Sequence, residues 1–291
     1  MISVVIPTYR RLRALSVCLE AISVLDFPRE RFEVIVVNDG GDPVDDELSP
    51  FRDRLNLAVF VQPHEGPASA RNAGAAAAKG RYLAFLDDDC VPEQSWLAAL
   101  RRRFDATPTH AVGGRTVNAL TDNLYASASQ MITDYLSEYY ARGQQPLFFS
   151  SNNLAFPRDT FQSVGGFDPA FPSAAGEDRD LCDRWQRHGY GMTFAPDAVV
   201  RHAHSLSARS FCQQHFNYGR GACSFRRARA RRNGGGLDLE PPQFYLNLLR
   251  CPFSRTAPLR ASALSGLLVL SQVAHTAGFL WEERLRFSTS S

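Results

Sequence analysis

An α/β fold, with a mostly parallel central sheet flanked by helices and a helical C-terminal extension, is what this sequence predicts. Three observations carry it. Short β-branched or aromatic runs at residues 3–6, 33–37, 57–61 and 82–86 have the length and composition of strands in a buried sheet. Stretches of helical spacing follow two of them, Leu12, Leu15, Leu19 and Ile22 after the first and an alanine-rich run ending at Gly80 after the third. Right-handed crossovers between parallel strands then bring the polar residues 7–10, 39–41 and 87–89 to one rim of the sheet, where open α/β folds bind ligands.

Composition narrows the field. With 291 residues, 44% apolar and 21% charged, the chain is an ordinary folded protein of one large domain or a domain plus an appendage. Its six cysteines are scattered, without a CxxC pair or zinc spacing, as expected of reduced thiols in the cytoplasm. The first residues, MISVVIP, read as a strand and not as a secretory signal, which also points to the cytoplasm. The net charge of +2 hides an asymmetry: residues 199–291 hold 13 Arg against 4 acids, and residues 1–198 hold 19 Lys and Arg against 26 acids. An acidic front suits a metal ion, and a basic tail suits phosphate or an anionic membrane surface, at the inner face of the membrane for a cytoplasmic chain. No nucleic acid is expected, because no helix-turn-helix, RNP or zinc-finger pattern accompanies the arginines. The break in composition divides the chain into 1–205 and 206–291.

Residues 3–6 form a strand stopped by Pro7, and a helix follows over 11–25. The turn between them, PTYRR, has no glycine, so a GxGxxG dinucleotide loop is excluded where it would be needed. The second strand, 33–37, ends in Asn38, Asp39 and two glycines, which let backbone approach a flat ligand while the carboxylate accepts hydrogen bonds; an Asx turn is the plain alternative. After the third strand, GPASARNAG places Arg71 and Asn72 near the first turn of the alanine-rich helix. Arg71 there contacts a diphosphate, steadies acids at the rim, or is a surface cation.

The fourth strand, 82–86, runs into Asp87, Asp88 and Asp89. Three adjacent carboxylates repel one another, so a positive group belongs among them, and hard oxygens suit Mg²⁺ or Mn²⁺. The alternative is a solvated turn in which Asp89 caps a helix over 93–104. Further on, a strand is expected at 111–116, a helix at 123–140, a strand punctuated by Ser151, Asn152 and Asn153, and a turn at Gly165, Gly166 and Phe167. Glu177, Asp178 and Asp180 open the next helix; acids there suit the helix dipole, yet three exceed what a cap requires, and a carboxylate at the rim can accept a proton from an attacking hydroxyl. Two short strands, 193–195 and 198–201, put His202 and His204 on one face as imidazoles available to a metal.

Taken together, VVIPTYRR (4–11), VVNDGG (36–41), GPASARNAG (66–74), FLDDDC (85–90), VGGFD (164–168), GEDRDL (176–181) and the histidine after VV (199–200) closely resemble the inverting family 2 glycosyltransferases of GT-A, Rossmann-like, fold. The resemblance covers roughly residues 2–220, about three quarters of the chain. It implies that Pro7, Thr8 and Tyr9 touch a nucleotide, that Asp39 hydrogen-bonds its base, commonly uracil, and that Arg71 lies beside it. It implies that Asp87 and Asp88 face the ribose and diphosphate, that Asp89 with Asp87 holds the divalent cation, and that His202 joins them. Asp178 of the Glu177–Asp178 pair is implied as the base. The QxxRW motif of processive synthases is absent, and Arg184-Trp185 lies in another context, so transfer of a single sugar is expected.

The tail reads as a basic helix over 206–232, a break at NGGG, a second apolar stretch from Pro241-Pro242, and an apolar run over 261–281 long enough to span a bilayer. Its Ser, Gln, His and Thr make it a poor span and suit a membrane-surface helix, an acceptor-covering helix, or a helix in the core or against a second copy. A lipid-linked or envelope glycan would then supply the acceptor hydroxyl. Two other classes compete: a nucleotidyltransferase, which should carry a glycine-rich first loop, and a non-catalytic nucleotide-sugar-binding protein, which would not need both acidic motifs intact.

Overall fold

The structure, a computed structural model, describes residues 1–41, 43–142, 148–171, 175–233 and 240–287. The chain divides into two compact units, each discontinuous in sequence. The first comprises Met1–Val117, Phe148–Ala170 and Leu181–Ala203; the second comprises Asn118–Leu147, Phe171–Asp180 and His204–Ser291.

In the first unit the strands are β1 (Ile2–Thr8), β2 (Phe32–Asn38), β3 (Leu57–Val61), β4 (Tyr82–Leu86), β5 (Cys90–Pro92), β6 (Ala111–Asn118), β7 (Asn153–Pro157) and β8 (Met192–His202). They form one sheet in the order β3-β2-β1-β4-β7-β6-β8-β5. The half from β3 to β4 is parallel, and β7 pairs antiparallel with both β4 and β6, as β5 does with β8. The sheet is therefore mixed, and the parallel half holds the three strand ends that the sequence brings to one rim.

Six helices accompany it: α1 (Leu12–Ser23), α2 (Asp45–Arg52), α3 (Pro67–Ala77), α4 (Trp96–Ala106), α6 (Arg158–Val164) and α7 (Glu177–Arg187), with α5 (Leu124–Arg142) falling between them in the chain. Alternation along β1 explains the layering. Ile2, Val4 and Ile6 join one buried cluster with Leu15, Leu19 and Ile22 of α1 and Trp96, Leu97 and Leu100 of α4. Val5 points the other way, into a cluster with Ala70 and Ala75 of α3, Phe161 of α6 and Trp185 of α7. Gly74 brings α3 close to the sheet, since a Cβ there would lie 2.4 Å from Val5 Cγ1.

Several local expectations change. Pro7 does not stop β1: it pairs in register with Val37, and β4 accompanies β1 only from Ile2 to Val5, so no ladder bond is asked of the missing N–H on that side. Arg71 stands just past the first turn of α3, near where it was expected, but the helix closes at Ala77, before Gly80. The helix after the acidic triplet begins at Trp96, so Asp89 is not its cap; β5 intervenes. The two short strands near the histidines are one, β8, which runs through Pro196 and ends at His202, leaving His204 beyond it. Of the NGGG break, Gly234 onward lies outside the described residues.

The second unit contains α5, α8 (Ala208–Asn233), α9 (Pro242–Arg250) and α10 (Pro258–Phe287). Ala128, Met131, Phe211, Leu248, Leu264 and Leu268 make its core. α8 and α10 approach to backbone contact: a Cβ on Gly219 would fall 1.8 Å from the His275 carbonyl oxygen, and one on Gly278 1.9 Å from that of Phe216. Arg220–Glu282 and Arg226–Glu283 pair alongside at 2.8 and 2.7 Å. Among the described residues α10 alone is long and apolar enough to cross a membrane by length and composition, with mean hydropathy 1.4 over its most apolar window, 22% of which is buried. Leu259, Val269, Val273, Leu280 and Trp281 are exposed on it. An open apolar groove of about 530 Å³ runs between α9 and α10, lined by Tyr245, Leu248, Val269, Val273 and Leu280 among others.

Candidate functional site

The rim of the parallel half collects Thr8 and Tyr9 from the end of β1, Asp39 after β2, Arg71 from α3 and Asp87, Asp88 and Asp89 after β4. β5 pairs with β8 so that Cys90 stands opposite His202, which brings the imidazole to the triplet.

Each aspartate has its own cation or donor. Arg71 Nη2 donates to Asp87 Oδ1 at 2.7 Å, from a side chain that is itself buried. Asp88 accepts from Thr8 Oγ1 at 2.8 Å and from Arg11 Nη1 at 2.8 Å. Arg11 Nη2 also reaches Asp89 Oδ2, and His202 Nε2 lies 3.2 Å from Asp89 Oδ1. The positive groups that three adjacent acids demand are thus Arg71, Arg11 and His202. Burial pushes the Asp88 carboxyl up to about 6, the adjacent Asp89 and Asp87 adding to it, against the pull of Arg11 and Thr8. Burial works to lower the His202 imidazole, yet its bond to Asp89 and the charge of Asp87 outweigh it, and the net shift is upward. Arg11 is the residue that motif reading passed over; the demand for a counter-charge beside PTYRR was the signal for it.

Asp39 is buried and fully engaged. Its Oδ1 accepts from Gln62 Nε2 at 2.7 Å and from the Glu65 backbone N–H at 3.0 Å; its Oδ2 accepts from the Gly66 N–H at 2.8 Å and faces His64 Nδ1 at 2.9 Å. The His64 ring stacks on Tyr9, centroids 4.1 Å apart and planes 17° from parallel. Arg10, the only described non-glycine residue with a left-handed backbone, has φ 55° and lays its guanidinium 5.1 Å from the Tyr9 ring centre.

In the second unit, Glu177 and Asp178 open α7. Glu177 is buried, Asp178 is half-buried and accepts from the Arg179 N–H at 2.7 Å. Asp180, fully buried, pairs with Arg232 at 2.7 Å. Of the three acids, Asp180 therefore has a structural partner that accounts for it.

The donor set around Asp89 fits a hard divalent cation. A carboxylate oxygen of Asp89 with the His202 imidazole nitrogen 3.2 Å away is ligand chemistry that a divalent cation such as Mn²⁺ accepts. Asp87 keeps 28% of its side chain exposed, so one face remains open to solvent.

Comparison with known proteins agrees with this geometry. The family model described as Glycosyl transferase family 2 matches residues 3–165, and one described as the N-terminal domain of galactosyltransferase matches residues 135–206. Among curated proteins, the glycosyltransferase AglE of Haloferax volcanii is 30% identical over 211 residues, covering 69% of this chain and 66% of that protein. The pre-mycofactocin glycosyltransferase of Mycobacterium tuberculosis is 31% identical over 197 residues, covering 64% of this chain and 40% of its own length. The chain thus spans 40–66% of the length of these relatives. Among solved structures, a mannosyltransferase from Pyrobaculum calidifontis in complex with GDP-Man and Mn²⁺ superposes with TM-score 0.63 at 19% identity, covering 97% of this chain and 87% of its own. S. aureus TarS residues 1–349 in complex with UDP-GlcNAc gives 0.54 at 18% identity, covering 99% and 92%. These establish a GT-A fold. Since the first model spans more than half of the chain and every strand of the parallel rim, the chain belongs to glycosyl transferase family 2.

Proposed function

We propose that the chain transfers one sugar from a nucleotide-sugar, a UDP-sugar in the first instance, to a hydroxyl acceptor with inversion at the anomeric carbon. The observation that carries this reading is the rim itself, where Asp87, Asp88 and Asp89 stand among Arg71, Arg11 and His202 at the carboxyl ends of parallel strands. Structures of the same fold in complex with GDP-Man and Mn²⁺ and with UDP-GlcNAc support it.

Pro7, Thr8, Tyr9, Asp39 and Arg71 form the nucleotide end of the donor site, with Asp87 and Asp88 toward ribose and diphosphate. Asp87, Asp89 and His202 would hold Mg²⁺ or Mn²⁺, which when bound offsets charge on the departing diphosphate as a Lewis acid. Arg71 fixes the Asp87 carboxylate, and Arg11 spans Asp88 and Asp89, so the acids enter the reaction already oriented. Asp178 takes the proton of the acceptor hydroxyl, with Glu177 beside it in the first turn of α7. The acceptor oxygen forms its bond to the anomeric carbon from the face opposite the diphosphate as the carbon–oxygen bond to phosphate breaks. Inversion follows without a covalent sugar–protein intermediate.

Residues 1–205 are the donor-binding and catalytic part on this reading, and 206–291 the acceptor side. The arginine-rich α8 and the exposed apolar face of α10 favour peripheral contact with the cytoplasmic face of a membrane and a lipid-linked or envelope-glycan acceptor. The test is Asp178→Asn with a panel of nucleotide-sugars, Mn²⁺ and lipid acceptors. Loss of nucleoside diphosphate release with unchanged donor affinity is expected; retained turnover would remove Asp178 from the chemistry.

A further inference from the structure

The turn that carries Glu177 and Asp178 is seated on one stripe of α8. Backbone meets backbone at its start: a Cβ on Gly221 would lie 2.2 Å from the Ala175 carbonyl oxygen, and one on Gly176 3.0 Å from the Gly221 carbonyl oxygen. Arg179 then lays its guanidinium 4.8 Å from the ring centre of Phe225. Asp180 accepts from Arg232 Nη2 at 2.7 Å. At 3.6 residues per turn, positions 221, 225 and 232 fall within about 40° of one another around α8. A single face of that helix therefore takes the whole turn.

Asp180 is the fixed point. Its side chain is 0% exposed, and a carboxylate out of water needs a paired charge, which Arg232 supplies. The Asp180 N–H donates to the Gly176 carbonyl oxygen at 2.9 Å and closes the first turn of α7 on the side that faces α8. Residues two apart on a helix point about 160° away from each other. With Asp180 turned toward α8, Asp178 is turned from it, and it is half-buried where Asp180 is fully buried. The bond to Arg232 thus sets the rotation of the turn, and the rotation sets where the Asp178 carboxylate points.

We infer that Arg232 is a positioning residue for sugar transfer: it holds Asp180, and through Asp180 it orients Asp178 as the base. The inference rests on the assignment of Asp178 above and deepens it. A general base moved by about 1 Å loses about 100-fold in rate, so an ion pair that touches no reacting atom can still govern turnover.

Steady-state kinetics on the full chain, with a panel of UDP- and GDP-sugars, Mn²⁺ and lipid acceptors, tests it alongside thermal melting. Asp180→Leu combined with Arg232→Met removes both charges together, a replacement that buried ion pairs commonly tolerate without loss of fold. Expected are a melting temperature close to that of wild type, kcat lower by about 100-fold and donor KM unchanged. Arg232→Lys keeps the charge without the planar fork of the guanidinium, and should lower kcat by about tenfold at constant donor KM. Wild-type kcat in either variant, or a loss of rate confined to donor KM, would overturn the inference. Asp178→Asn separates it from the reading beneath. Turnover abolished there and intact in the double variant means that Asp178 is the base and Arg232 does not place it; turnover retained in Asp178→Asn, or absent from the wild-type chain with every donor, brings down both.

Discussion

Replacing Gly74 by alanine asks whether the seat of α3 on the sheet sets the geometry of the rim. The new Cβ would lie 2.4 Å from Val5 Cγ1 and 3.2 Å from Val37 Cγ2. Carbon atoms rest about 3.5–4.0 Å apart, so α3 must rise by about 1 Å at this point. Overpacking of this kind costs about 1–3 kcal/mol, and alanine in place of glycine inside a helix returns about 1 kcal/mol. The net loss of about 0–2 kcal/mol should lower the melting temperature by a few degrees, at about 2–4 °C per kcal/mol. Arg71 sits one turn earlier on the same helix, and its 2.7 Å bond to Asp87 cannot follow such a lift and stay within hydrogen-bond range. A charged hydrogen bond is worth about 1.5–3 kcal/mol, so UDP–Mn²⁺ affinity should fall at least about tenfold while the fold persists. Adding Val5→Ala removes the methyl group in the way and should restore affinity, although the double variant melts lower. Calorimetry and thermal melting on the four chains decide it. Unchanged affinity in Gly74→Ala, or no recovery on adding Val5→Ala, would refute the link from sheet packing to Arg71.

Three further outcomes follow from the structure. His215, buried between Phe211 and Tyr218 and repelled by His275, has its pKa lowered to about 4, chiefly by burial. The unfolded chain takes up a proton here below about 6.5 and the folded chain does not until about 4, so the contribution of His215 to stability is lost as pH drops through that window, by up to about 3 kcal/mol, while Asp88, raised to about 6, works in the opposite direction. The difference in denaturant midpoint between His215→Leu and wild-type chain should shift in favour of the variant as pH falls from about 6.5 to about 4; a difference that does not change with pH would refute the assignment. Asp89→Asn should abolish saturable Mn²⁺ binding followed by electron paramagnetic resonance, and chelation should stop turnover of the wild-type chain; Mn²⁺ affinity retained in Asp89→Asn would place the ion elsewhere. Val273→Asp, on the exposed face of α10, should end sedimentation with anionic vesicles without changing UDP affinity; loss of self-association in place of vesicle binding would identify that face with a second copy.

How far the fold was legible depended on where each signal resides. β1, β2 and β4 are continuous apolar runs because they are buried on both faces, and a run of that kind declares itself. α2, with Asp45, Asp46 and Glu47 at its start and Pro50 inside, looks like a loop and is held against α1 with Leu48 and Phe51 in the buried cluster. β5 is three residues long and exists by virtue of its pairing with β8, which lies far along the chain. Pro196 made β8 look like two strands. The acids of the rim were legible as motifs; their partners were less so. Arg11 meets Asp88 across 77 residues, and saturation of Asp39 by residues 62–66 becomes visible only in three dimensions.

The three-residue ladder between β5 and β8 also governs the order of events during synthesis. Asp89 leaves the ribosome 113 residues before His202 (202 − 89), and the β5–β8 ladder sets the two side by side. A nascent chain therefore carries its acidic cluster through about two fifths of its synthesis without the imidazole that completes it. Closure by so distant a contact is slow relative to local folding, so the cluster gains its imidazole only when nearly all of the first unit has emerged.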